Sequence, residues 1–332
     1  MRQRTGPGAE LATHIQRDLA VQADHQTSQP ADAALIVGCG YLGRRLASAL
    51  VAKDRTVYAT TRDQAKTSAL AALGVRPLIL SVTQPVTYAS LTPALQAASL
   101  DVYYLIPPGR SAGSPTPRQV VLGGVAHIVK ALRGSNVRRA VLVSSSAVYG
   151  QADGARVDAD TQPQVNNERA ELLLKGEALW LDAGPNYTVL RLAGLYGPGR
   201  IVGIQAVRDR APLVGNPHAM LNLIHADDAV SLLLAMSDAP APGRVELGSD
   251  GRPVPRIEYY RYLAQKLGVP APEPMDDLTA AARLGLNAER LARSSNKALD
   301  NTASRRRTGW SPRFTDYRLG LDAIFAAVRS RT

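Results

Sequence analysis

Cysteine is almost missing from this chain: Cys39 is the only one in 332 residues. Its solitude excludes an intrachain disulfide and a cysteine metal cluster, and it fits a reducing cytoplasm as the compartment. No uninterrupted apolar run approaches the roughly 20 residues that cross a bilayer, so no membrane partner is expected. Aromatic residues make up only 5% of the chain, too few for a platform that stacks single-stranded bases. The formal charge is +11, but it is carried mostly by Arg spread along the sequence. It reads as a solvated basic surface, which argues against a nucleic-acid partner. Met1 to Pro30 carries Arg2 and Arg4 without an apolar stretch, which excludes a secretory signal. Residues 1–30 read as a polar, flexible extension, partly helical around Leu11 to Val21; a start codon called too far upstream accounts for them equally well.

What is present begins at Ala34. A hydrophobic content of 45% is ample for a packed core in one large α/β unit or two modest domains. The run Ala34 to Val37 suits a strand buried on both faces, and a glycine turn follows at once, with Gly38, Gly40 and Gly43 in G-x-G-x-x-G spacing. The first glycine permits the tight turn, the second lets backbone approach a pyrophosphate, and the third lets the next helix pack on the strand. Tyr41 and Leu42 sit inside this turn, and the helical pattern Leu42, Leu46, Ala47, Leu50 starts there. The helix N-terminus offers unpaired N–H groups and partial positive charge to phosphates. A glycine turn that only tightens a strand–helix connection is the plain alternative.

A second strand, Thr56 to Thr61, ends at Arg62, about 20 residues past the glycines, where an acidic residue would hold the ribose of NAD. A guanidinium there pairs with the 2′-phosphate of NADP, with Thr61 in support. NADP is therefore the expected cofactor; NAD stays possible through Asp63, one residue on. Strands at Arg76 to Ser81, Asp101 to Ile106 and Ala140 to Val143 alternate with helices at Asp63 to Leu73, Leu91 to Leu100 and Arg118 to Arg133. This beat predicts one doubly wound parallel α/β sheet, with Pro107 and Pro108 forming a rigid loop at its carboxyl edge, where ligands of such sheets bind.

From Ala33 to the C-terminus the chain resembles the extended branch of the short-chain dehydrogenase/reductase superfamily, the NAD-dependent epimerase/dehydratase proteins. Four stretches carry the resemblance: the glycine turn; Ser144-Ser145-Ser146 with Val148-Tyr149-Gly150; Arg191 to Arg200; and Asn222 to Asp228. It implies a Rossmann domain over residues 31–193 and a substrate lobe over 194–332 interleaved with late Rossmann elements. It also implies Ser146 on the reacting hydroxyl or carbonyl, cofactor contacts from Ser144, Leu195 and Tyr196, and no metal at His225, Asp227 and Asp228. The substrate would be a small molecule, a nucleotide sugar or other polar carbinol, and the chain a monomer or homodimer.

One feature of that family is absent. Its proton-transfer Tyr, followed four residues later by Lys, belongs on the helix after the serines, here Gln164 to Asp182, which contains no tyrosine. Aligning Glu177 with the family's acidic residue puts Arg169 and Leu173 at the two positions. A register two residues on puts Glu171 and Lys175 there, an i,i+4 pair that an ordinary surface ion pair also explains. Tyr149, Tyr196 and Glu171 are the nearest substitutes, Glu171 only if burial raises its pKa. Three functions stay open: an oxidoreductase or epimerase/dehydratase-like enzyme; a regulatory or interaction protein that keeps the dinucleotide half and has lost catalysis; and, the weakest, nucleic-acid binding through the Arg surface.

Overall fold

Strands with apolar residues at consecutive positions must be covered on both faces, and the first strand, β1 (Ala33–Val37), is buried at all five. The computed structural model describes residues 32–107, 115–240, 243–285 and 296–329; the extension expected at 1–30, and Pro108, lie outside the described residues. Six further strands join β1: β2 (Thr56–Thr61), β3 (Arg76–Ile79), β4 (Leu100–Tyr104), β5 (Val137–Ser145), β6 (Tyr187–Leu192) and β7 (Val245–Gly248). Their order is β7-β6-β5-β4-β1-β2-β3, and every neighbouring pair is parallel. The order reverses between β1 and β4, which opens a crevice at the carboxyl ends of these strands.

Five of the helices bear on the site: α1 (Tyr41–Val51), α2 (Val125–Ala131), α3 (Glu168–Leu181), α4 (Ala226–Asp238) and α5 (Arg256–Leu267). Ala34 and Ile36 enter the core shared with α1 and α4, while Leu35 and Val37 enter the core shared with α2. The alternation of side chains along a strand thus feeds two helical layers, the doubly wound arrangement expected. Trp180 of α3 is fully buried and stacks edge-on to Tyr187 with ring centroids 5.3 Å apart. Burial of an aromatic of this size contributes about 2–3 kcal/mol, enough to fix α3 against the sheet.

Short strand pairs build the lobe at the carboxyl edge. Leu223–His225 runs parallel to Gly194–Tyr196, and Lys297–Leu299 runs parallel to Ala155–Val157. Elsewhere elements are shorter than periodicity suggests. The helix expected over Arg118 to Arg133 is a π-helical stretch, Gln119–Gly124, followed by α2. The helix expected from Gln164 starts at Glu168, because the Asn167 side chain accepts the Ala170 amide at 2.9 Å and caps it there. Among the described residues no helix is long and apolar enough to cross a membrane.

Candidate active site

The glycine turn meets its three separate demands. Gly38 has φ +96°, and a Cβ there would lie 2.5 Å from Ile106 Cγ1. A Cβ on Gly43 would meet the Gly38 carbonyl oxygen at 2.7 Å. Around Gly40, by contrast, a Cβ would meet nothing within 4 Å. Gly40 is also the N-cap of α1, with no side chain capping the helix and no acidic residue in the first turn. With no side chain capping the first amides of α1 and open space beside Gly40, their partial positive charge is available to a ligand, a cradle that fits a diphosphate.

The cradle is part of a cleft of about 540 Å³ along the carboxyl edge of the sheet. Gly38, Gly40, Tyr41, Leu42 and Gly43 line it at the turn, Thr61 and Arg62 at the end of β2, and Pro107 and Leu195 farther along. Two cations join them: Lys66, one turn after Arg62, and Arg200, whose guanidinium carbon lies 5.8 Å from the centre of the Tyr41 ring. Asp63 accepts the Ala65 amide at 3.0 Å and pairs with Lys66 at 3.3 Å. Its carboxylate is committed to its own turn. Lys66 carries no local signal in the sequence, because only the turn that Asp63 caps brings it beside Arg62. Burial pushes the Cys39 thiol up to about 11, partly opposed by Arg44, so it stays protonated.

Beside this cleft, where β5 and β6 end, lies a second hollow of about 440 Å³, lined by Ser145, Ser146, Gly194, Asn222, Arg256 and Lys297 among others. The three serines do different things. Ser144 donates to Glu177 on the helix side of the sheet, Ser145 accepts the Ala147 amide at 3.2 Å, and Ser146 faces the hollow. Ser144 does not line the cofactor cleft.

The substitutes for the missing phenol are dispersed. Tyr149 is fully buried; its hydroxyl donates to the Asp158 carbonyl at 2.7 Å and accepts from Arg191 at 2.9 Å. Burial raises its pKa, against the pull of Arg191. Tyr196 points away from both hollows into a cluster with Tyr259 and Tyr317; burial, then Asp250 and Asp228, push its phenol up. Glu171 stands on the exposed face of α3, paired with Lys175, and that hydrogen bond and charge hold its carboxyl below the usual range. The burial a base at Glu171 requires is not there. The inward face of α3 is Ala170, Leu173, Gly176, Glu177 and Trp180, without a phenol.

Glu177 and Arg191 form a buried pair with contacts of 2.7 and 3.1 Å. Ser144 and Tyr149 attach to it, so the ends of β5 and β6 are locked together beneath Ser146. His225 lies at the N-terminus of α4: its Nδ1 accepts the Asp227 amide at 3.2 Å, so the imidazole is the cap. Burial pushes the His225 pKa down, against Asp227 and Asp228, which favours the neutral ring that can accept this bond. Asp228 instead accepts the amides of Arg313 and Phe314 at 2.7 and 3.0 Å.

A parallel sheet with a glycine-turn diphosphate cradle at its switch point and a polar hollow beside it defines a nicotinamide-dinucleotide-binding protein of the Rossmann type. A model of the NAD dependent epimerase/dehydratase family matches residues 34–248, and the chain belongs to that family. It is 26% identical to protein YeeZ of Escherichia coli (strain K12), over 72% of this chain and 85% of YeeZ. It is 24% identical to a 3-diazoavenalumate denitrifying reductase of a Streptomyces species, over 86% of this chain and 98% of the reductase. A functionally unknown conserved protein from Silicibacter pomeroyi superposes with a TM-score of 0.71 at 28% identity, covering 89% of this chain and 99% of that one.

Proposed function

We propose that the chain is an NADP(H)-dependent oxidoreductase or epimerase/dehydratase-like enzyme acting on a polar carbinol or carbonyl, a nucleotide sugar being one such substrate. The observation that carries this reading is the meeting of the dinucleotide cleft and the Ser146 hollow where β5 and β6 end. The bound dinucleotide would supply or accept a hydride at its nicotinamide. The amides behind Gly40 would hold its diphosphate with Arg200 nearby, while Val143, Leu192 and Leu195 give the far end of the cleft an apolar wall. The Ser146 hydroxyl would hold the substrate oxygen beside it.

The preference for NADP rests on Arg62 and Lys66, two cations at the end of β2, and on Asp63 being committed to its own turn. Arg62→Ala is expected to weaken NADPH binding about 10- to 100-fold, the loss of one charge-assisted phosphate contact, and to leave NADH binding within about twofold. Fluorescence titration with both nucleotides measures it. Equal losses for the two would move the 2′-phosphate away from Arg62. The absence of a phenol from the inward face of α3 favours a second reading, a dinucleotide-binding regulatory protein without turnover. Tight NADPH binding with no oxidation in the presence of any carbonyl compound would support that reading.

A further inference from the structure

We propose that Lys297 exchanges the proton with the substrate oxygen held by Ser146. The inference rests on the dinucleotide-dependent reading above and names the group that completes it.

Lys297 lines the same hollow as Ser146, although 151 positions separate them in the chain. It opens the strand Lys297–Leu299, which lies parallel to Ala155–Val157, and its placement is fixed from several directions. The Asn222 amide donates to the Lys297 carbonyl at 2.9 Å, while its oxygen accepts the Leu299 amide at 2.8 Å. The neighbouring Asn296 accepts the Met220 amide at 2.9 Å, and its own amide donates to the Gln151 carbonyl at 2.9 Å. Met220 and Asn222, which line the hollow, and Gln151, in the loop after the serines, thus clamp the backbone that carries this amine.

The residue is only 5% exposed. The other charged side chain among the described residues of this hollow is Arg256, which donates to the carbonyls of Val214 and Asn216 at 3.0 and 3.1 Å. Guanidinium groups keep their proton in proteins, so Lys297 is the charged side chain here able to change protonation. Burial pushes its pKa down from 10.5 to about 8, close to where a general acid or base works best at neutral pH.

In reduction the carbonyl carbon receives the hydride from the reduced nicotinamide dinucleotide, which leaves oxidised. The carbonyl oxygen takes a proton from the Lys297 ammonium, and the neutral amine regains one from water. In oxidation the neutral amine takes the carbinol proton. Reduction therefore requires the ammonium and should slow as pH rises through about 8; oxidation should speed up over the same range.

The test uses the full chain with NADPH and 9,10-phenanthrenequinone as the carbonyl probe. Lys297→Met is expected to bind NADPH within about twofold of the parent and to lose about 100-fold or more in kcat, and methylamine added to Lys297→Ala to restore part of it. An independent readout avoids turnover: competitive acetylation of the six lysines followed by mass spectrometry across pH. Lys297 should reach half-reactivity near 8, well below the ordinary lysine range of about 10.4. Failure of the parent chain to bind NADPH or NADH would overturn the proposed function itself. Nucleotide binding would leave that reading in place, and the Lys297 role would then be overturned by any of three results: titration with the other five lysines, an unchanged kcat in Lys297→Met, or no quinone reduction by the parent chain.

Discussion

Glu177→Ala is expected to cost the fold about 3–5 kcal/mol, the usual penalty for removing one partner of a buried ion pair. The carboxylate is 3% exposed and the Arg191 guanidinium 7%, so the arginine left behind would be a charge with neither counter-ion nor water. Ser144 would lose its acceptor as well. The pair itself adds much less than this, since two desolvated charges repay little beyond their own burial. A double substitution, Glu177→Leu with Arg191→Met, should therefore recover most of the loss. Denaturant unfolding of the parent, both single variants and the double variant measures the cycle. A cost below about 1 kcal/mol for Glu177→Ala would mean that water reaches Arg191. The expected penalty bears on function because Tyr149, Ser144 and Arg191 hold the ends of β5 and β6 together beneath the Ser146 hollow.

Gly40→Val should do the opposite, leaving a folded protein while removing the ligand. Nothing lies within 4 Å of the Cβ direction of Gly40, but its backbone at φ −89° and ψ −143° is off the regions a branched side chain prefers, so the substitution should cost about 1–3 kcal/mol of strain and lower thermal unfolding by about 2–4 °C for each kcal/mol. The branched side chain would occupy the space that a diphosphate needs. Affinity for NADPH and NADH should fall together by about 100-fold, equivalent to about 2.7 kcal/mol. Gly38→Ala and Gly43→Ala are the contrasting pair. One forces a side chain onto φ +96° and Ile106, the other into the Gly38 carbonyl, so both should destabilise the empty protein. Parent-like affinity in a folded Gly40→Val would remove the diphosphate from this turn.

These expectations combine features visible in the sequence with others that only packing decides. The strand Thr56–Thr61 and the turn at Gly38 were legible because their signals are local: a run of β-branched and apolar residues, and glycines at fixed spacing. The π-helical stretch at Gln119–Gly124 was not, since adding one residue to a turn barely changes where the valines fall. There Gly124 packs against the Tyr104 hydroxyl, which donates to the Val120 carbonyl at 2.9 Å. Glu171 illustrates the limit of helical periodicity. Spacing pairs it with Lys175 but does not say which side of α3 meets the sheet, and Trp180, Leu173 and Gly176 take that side. Lys297 was visible only as one cation among several in the C-terminal half, because its neighbours in the hollow are far away along the chain and no motif links them.

The outermost strand of the sheet has a practical consequence. β7, Val245–Gly248, covers the free edge of β6 from well inside the C-terminal half, and all six residues of β6 are buried. A protein shortened to end near Ala193 would keep every glycine of the turn and yet expose β6 as an unpaired apolar ribbon, ready to template against its own copies. Such a fragment should precipitate or form filaments rather than serve as a portable nucleotide-binding module, so solubility of this half depends on the ribosome having finished the other.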